Sequence, residues 1–135
     1  MQSSHSLFIY ALIGLGAAIG GMGRYWCNGA AARFLGDTFP WGAYTVNVLG
    51  SFVIGLFAAL TGPEGRLLAP VSTRLFVTVG LCGGFTTFST FSLETLNLLR
   101  DGQFGKASFN VAATVISCLL GVWLGWLLAT AINER

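Results

Sequence analysis

The chain has 135 residues, 54% of them hydrophobic and only 9% charged, with a formal net charge of +2 and a mean hydropathy of +0.73. An ordinary soluble domain is about 25% charged, so this composition excludes a soluble surface and points to lipid as the solvent. The charge is too small for nucleic acid, and the length fits one domain, residues 1–135.

Charged residues divide the chain. Met1 to Gly23 carries none, and then come Arg24, Arg33 and Asp37. The next uncharged runs are Thr38 to Pro63, Leu75 to Leu93 and Ala107 to Asn133. A spanning helix needs about 20 apolar residues. The pattern predicts an all-α membrane protein with four spans, at about Leu7–Ala32, Trp41–Leu60, Leu75–Leu99 and Ala107–Ile132. The connections "FLGDTFP", "TGPEGRLLAPVST" and "RDGQFGK" are short. The first span lacks a basic start and a clean cleavage site, so it reads as a retained helix rather than a secretory signal.

An even number of spans puts both tails on one side, with Arg66, Arg74 and Arg135. The other side carries Arg33, Arg100 and Lys106, joined by Arg24 if it reaches the interface. This balance fixes no orientation by the positive-inside rule. Either another factor orients the chain, or it inserts both ways and opposite copies pair. Gly16/Gly20, Gly80/Gly84 and Gly121/Gly125 have the spacing that lets helix backbones approach closely. Packing within one subunit accounts for most of these glycines, and part of the glycine-rich surface is expected to serve a homodimer.

The third span contains "GGFTTFSTFS", residues 83–92. Adjacent glycines predict a bend or unwinding there, because glycine disfavours a helix interior by about 1 kcal/mol. Freed carbonyls at membrane depth survive only inside protein or beside a polar cavity, where they suit a hard cation. Thr86, Thr87, Ser89, Thr90 and Ser92 add hydroxyls. Back-bonding to their own helix would use one or two of these. Phe88 and Phe91 share a helix face, with Phe85 on a similar phase. Such a stripe packs a core, or turns its positive ring edges toward a small anion.

Asn47, in "YTVNVLGSF", is a costly amide in mid-span unless hydrogen-bonded. It either ties two helices together or donates N–H groups to an anion. Thr114 lies one turn from Asn110 in the fourth span, where the two could extend a polar track. Arg24 either snorkels to the headgroups or lines an anion-attracting vestibule.

With "GRYW", "TVNVLGSF" and "GGFTTFSTFS" in place, the chain resembles the Fluc family of small fluoride channels over nearly its whole length. The resemblance implies a dual-topology antiparallel homodimer with two pores in a bacterial inner membrane, exporting fluoride passively. It implies a third helix broken in mid-membrane, with carbonyls of Gly83 and Thr86 holding a structural sodium ion on the dimer axis. It gives Phe88 and Phe91 as pore-lining rings, Asn47 as the pore asparagine, Thr114 as the fourth-span hydroxyl and Arg24 as the vestibule arginine; Ser89 and Thr90, from the hydroxyl run beside the break, complete the candidate pore residues. Phe85 stands where the family has leucine, and Asn110 where it has an aromatic.

The physics of a small hard anion agrees. Tightly held water must be replaced by donors, and fixed cations inside a pore would bind too firmly for conduction. The rival reading is a small dual-topology multidrug cation/proton exporter. An exporter resembling the small multidrug resistance family should carry a buried acid in its first span, and here that span has none before Arg24. An assembly subunit without transport would leave the hydroxyl–phenylalanine track unexplained. Nothing predicts an enzyme: Cys27, Cys82 and Cys118 lack metal-ligand spacing, and His5 has no nearby partner in sequence. Glu94, the acid inside a span, is expected to reach an interface or pair with a polar neighbour.

Overall fold

A computed structural model describes residues 2–134; Arg135 and the side chain of His5 lie outside the described residues. The described residues form helices and the connections between them, with no strand among them. Helix α1 is Gln2–Leu35 and α2 is Trp41–Leu60. The third span is a series: α3 (Val71–Leu75), a π-helical stretch (Phe76–Cys82), α4 (Gly83–Phe85) and α5 (Phe88–Arg100). Helix α6 is Phe104–Asn133. Four stretches are long and apolar enough to cross a membrane: Ser6–Leu35, Trp41–Leu60, Val71–Arg100 and Phe104–Asn133. The first and third run past the arginines that seemed to bound them. The third starts at Val71, directly after Pro70, rather than at Leu75, because an arginine such as Arg74 near a helix end can reach the headgroups without stopping the helix.

Small residues set the packing. Helix α2 lies along α6, while α1 lies along the π-helical stretch and α4. A Cβ on Gly16 would stand 2.6 Å from the Phe76 carbonyl oxygen and 3.0 Å from the Gly80 Cα, and one on Gly84 would stand 2.8 Å from the Ala17 Cα. On the other side, a Cβ on Gly125 would meet the Leu56 nitrogen at 2.7 Å, and one on Gly121 the Val48 carbonyl oxygen at 3.2 Å. All three close-approach pairs therefore act within the chain. Gly14 and Gly21 face open space instead.

The ends are tied. Arg66 Nη1 donates to the Ile132 carbonyl at 3.1 Å, and its backbone N–H donates to Asn133 Oδ1 at 3.0 Å. A cation at a helix C-terminus complements the dipole, and the contact places the 61–70 connection beside the end of α6. At the opposite end Lys106 Nζ donates to the Thr38 carbonyl at 2.9 Å. Gly102, at φ +71, supplies the left-handed residue of the α5–α6 turn, where the Gln103 N–H reaches the Leu98 carbonyl.

Candidate functional site: the interrupted third span

The third span is interrupted at Thr86 (φ −82, ψ 161) and Thr87 (φ −155, ψ 108), both extended. The glycine pair does not unwind: Gly83 keeps helical backbone (φ −63, ψ −37), and Gly84 belongs to α4. Glycine 84 is used instead for the close approach of α1 at Ala17. The two threonines, β-branched and at ease in extended backbone, take the bend.

Asn47 makes this bend tenable. Its Oδ1 accepts the Thr87 backbone N–H at 2.7 Å, and its Nδ2 donates to the Thr87 carbonyl at 3.0 Å. One amide thus satisfies both backbone groups of an extended residue, as a neighbouring strand would. Asn47 and Thr87 are both buried, at 8% and 5% exposure, where an unpaired polar group costs about 1–3 kcal/mol. One turn further along α2, Gly50 leaves the space that the Thr86 Cγ2 methyl occupies. Thr87 also caps α5, its Oγ1 accepting the Thr90 N–H at 3.1 Å.

Two carbonyls leave the helical ladder as a result. In an unbroken helix the Thr87 N–H would go to Gly83 and the Thr90 N–H to Thr86. Here the first goes to Asn47 and the second to the Thr87 hydroxyl. The Thr86 carbonyl accepts Arg24 Nη1 at 3.3 Å, while a Cβ on Gly83 would meet only one atom, the Thr78 carbonyl oxygen at 3.8 Å.

Beside the interruption lies a cavity of about 410 Å³. Its lining includes Asn47, Ser51, Phe88, Phe91, Thr114 and Cys118 together with Gly83, Thr86 and Thr87, and none of its lining residues is charged. Phe88 and Phe91 stand 5.4 Å apart, tilted by 52°. They are unequal partners: Phe91 is 7% exposed and Phe88 is 76% exposed.

The sequence matches the family described as CrcB-like protein, Camphor Resistance, over residues 11–126. The chain belongs to the CrcB-like family. It is 54% identical over 125 residues to a protein of Methylocella silvestris named fluoride-specific ion channel FluC, across 93% of this chain and 95% of that one. Proteins of the same name from Opitutus terrae (54% over 129 residues, 96% of each chain) and Rhodospirillum rubrum (50% over 125 residues, 93% and 97%) are similar along the same length. With four spans, this CrcB-like chain is a multi-pass membrane protein.

Within the CrcB-like fold the expected site residues separate into groups. Asn47, Phe88, Phe91, Thr114, Gly83 and Thr86 meet at the cavity. Ser89 and Thr90 do not line it; they sit on the first turn of α5, where Thr87 Oγ1 donates to Thr90 Oγ1 at 2.9 Å. Arg24 is half-buried, with its Nη1 on the Thr86 carbonyl at the interruption.

The hydroxyl run also divides. Thr86 bonds back to the Cys82 carbonyl and Ser92 to the Phe88 carbonyl, both at 2.9 Å. Thr87 is the cap, and the Ser89 and Thr90 hydroxyls gather on its Oγ1 at 3.4 and 2.9 Å. Ser51 is the residue that sequence reasoning passed over. It lies one turn from Asn47 in the quoted "TVNVLGSF", faces the same cavity, and the four-residue spacing was the available signal. Glu94 lies half-buried on a second cavity of about 400 Å³ at the Lys106 end, with Asn28, Asp37 and Asp101. Its Oε2 and the Asn28 Oδ1 are buried without a partner, so the expected polar neighbour for Glu94 is not engaged by that oxygen.

Proposed function

We propose that this chain is the subunit of a fluoride-selective channel that exports fluoride passively across the bacterial inner membrane. The observation that carries the reading is the convergence of Asn47, Phe88, Phe91 and Thr114 on one uncharged cavity, in a chain about half identical to proteins named fluoride-specific ion channels. Fluoride must exchange its water for donors. Asn47 spends one amide hydrogen on Thr87 and keeps the second. Ser51 adds a hydroxyl. Thr114 holds its proton on Asn110 Oδ1 by a long 3.4 Å bond, which an anion can replace at small cost. Ring edges of Phe88 and Phe91 supply weaker positive potential. Arg24 stays outside the cavity lining, so it attracts without trapping.

The exporter reading loses its support to the matched family, and the first span's lack of an acid agrees with this. We extend the proposal to an antiparallel homodimer with two pores. The balanced end charges and the outward Phe88 support it, since a ring at 76% exposure beside a half-built cavity is suited to a second copy.

The proposal includes a structural sodium ion between two copies. The donor chemistry fits: the carbonyls of Gly83 and Thr86 are both outside the helical ladder, and oxygen ligands suit a hard cation. Arg24 shares the Thr86 carbonyl and competes electrostatically with such an ion.

Liposomes loaded with fluoride, read by an ion-selective electrode, test the activity. The expected result is rapid fluoride release with negligible chloride release, and release no faster than from empty liposomes overturns the reading. A cysteine placed in the connection at 61–70 should label from both sides of the membrane; labelling from one side alone rejects dual topology.

A further inference from the structure

Helix α5 carries the Phe88–Phe91 pair, yet little holds it. It makes only light contact with α6 and α2, and Leu93, Leu96 and Leu99 face outward at 42–58% exposure. In lipid no hydrophobic force presses such a helix inward, so fit and hydrogen bonds between helices decide its place. Its start is fixed by the Asn47–Thr87 pair and its end by the turn at Gly102. Between these points, one side-chain hydrogen bond joins α5 to α6 among the described residues: Asn110 Nδ2 donates to Thr95 Oγ1 at 2.9 Å.

Asn110 is 1% exposed and, with Val46, is among the largest fully buried side chains. Thr95 passes its own proton to the Phe91 carbonyl at 2.7 Å. Asn110 Oδ1 accepts from Thr114 at 3.4 Å. Asn110 therefore links, through two short bonds, to the backbone of Phe91, and through its other end to Thr114. Both residues face the cavity. An amide this deeply buried is expensive unless its partners are fixed, so its geometry fixes theirs.

We infer that Asn110 is a positioning residue: it clamps α5 to α6 through Thr95 and thereby sets the separation of Phe91 and Thr114 across the conducting cavity. The inference rests on the fluoride-channel reading for what the cavity carries, but the clamp itself can be read without flux. Asn110 does not touch the anion; it acts through Thr95.

The experiment is a double-substitution cycle with Asn110→Leu and Thr95→Val, with Thr95→Ser as the variant that keeps the hydroxyl. Each is purified as a monodisperse protein and read by fluoride efflux and by amide hydrogen exchange of α5. We expect each single removal to slow fluoride efflux about tenfold, and the pair to slow it about tenfold rather than the roughly hundredfold of independent sites. Thr95→Ser should stay within about twofold of the parent. Exchange in α5 should quicken in both removals while α2 keeps its rate.

Independent, multiplying losses overturn the clamp, as does unchanged α5 exchange. If Asn110→Leu fails to fold, Thr95→Val against Thr95→Ser decides the point alone, since a loss in the first spared in the second is the clamp's signature and equal behaviour refutes it. If the parent protein releases no fluoride, the channel reading falls, while quickened α5 exchange still upholds the clamp.

Discussion

The two halves of the third span are held by different physics. Residues 71–85 lie against α1 backbone to backbone, with Gly80 and Gly84 meeting Gly16 and Ala17. Residues 88–100 touch their neighbours lightly and are pegged by polar side chains at Thr87 and Thr95. Close packing has no tolerance for added atoms but asks nothing of chemistry. Polar pegs tolerate space but depend on single atoms. The half that bears the phenylalanines is the pegged one, so its placement is set by a few replaceable bonds beside a cavity.

The comparison is broken most severely in the packed half. Gly84→Val drives a side chain into the Ala17 backbone, and overpacking of this kind costs about 3 kcal/mol. We expect no monodisperse protein by size exclusion. Gly21→Val, on an open face, should change thermal stability by less than about 0.5 kcal/mol in the single chain.

Next in size is the peg at the interruption. Asn47→Leu strands both Thr87 backbone groups, at about 1–3 kcal/mol for each. Efflux should disappear even where folded protein is recovered. Asn47→Asp keeps the acceptor for the Thr87 N–H but loses the amide donor and adds charge, so it should fold better than Asn47→Leu and conduct as little. Retained efflux in either variant would remove Asn47 from the pathway.

The phenylalanines sharpen the contrast between a buried and an outward ring. Within the single chain, Phe91→Ile should lower stability by about 1 kcal/mol, whereas Phe88→Ile, at a ring exposed in that chain, should lower it by less than about 0.5 kcal/mol. If both ring edges serve the anion, each change still slows efflux about a hundredfold, equal to about 2.7 kcal/mol at the barrier. Full efflux in the well-folded double variant would make the rings packing alone.

The smallest expected effect is at the hydroxyls. Ser51→Ala should slow efflux about tenfold, or 1.4 kcal/mol, while Ser92→Ala, whose proton goes to the Phe88 carbonyl, should leave efflux unchanged. Equal outcomes at the two serines would show that facing the cavity does not decide the role.

Much of this was legible beforehand because charge is scarce in lipid: the four spans and their short connections follow from where arginines and acids fall. Asn47 stood out because an amide in mid-span needs a partner. The position of the interruption was less accessible. Gly83 and Gly84 look like the weak point of an isolated helix, but Gly84 is occupied with α1 and the bend is stabilised from α2, forty residues away in sequence. The hydroxyl run looked like one feature, yet its members turned to separate tasks, because back-bonding and capping depend on rotamers that composition does not encode. Asn110 could be placed one turn from Thr114, but its bond to Thr95 required the α5–α6 pairing.

The Asn47–Thr87 pairing also bears on how the protein is made. A third span entering the bilayer alone has no partner for an extended Thr87, and hydrocarbon penalises its bare N–H and carbonyl. As an uninterrupted helix the same segment satisfies both groups by itself. The interruption therefore depends on the second span: only with Asn47 beside it does an extended Thr87 have partners for both backbone groups. A third span made without the second should then insert as an ordinary helix, and the interrupted geometry should form only in chains whose second and third spans have found each other.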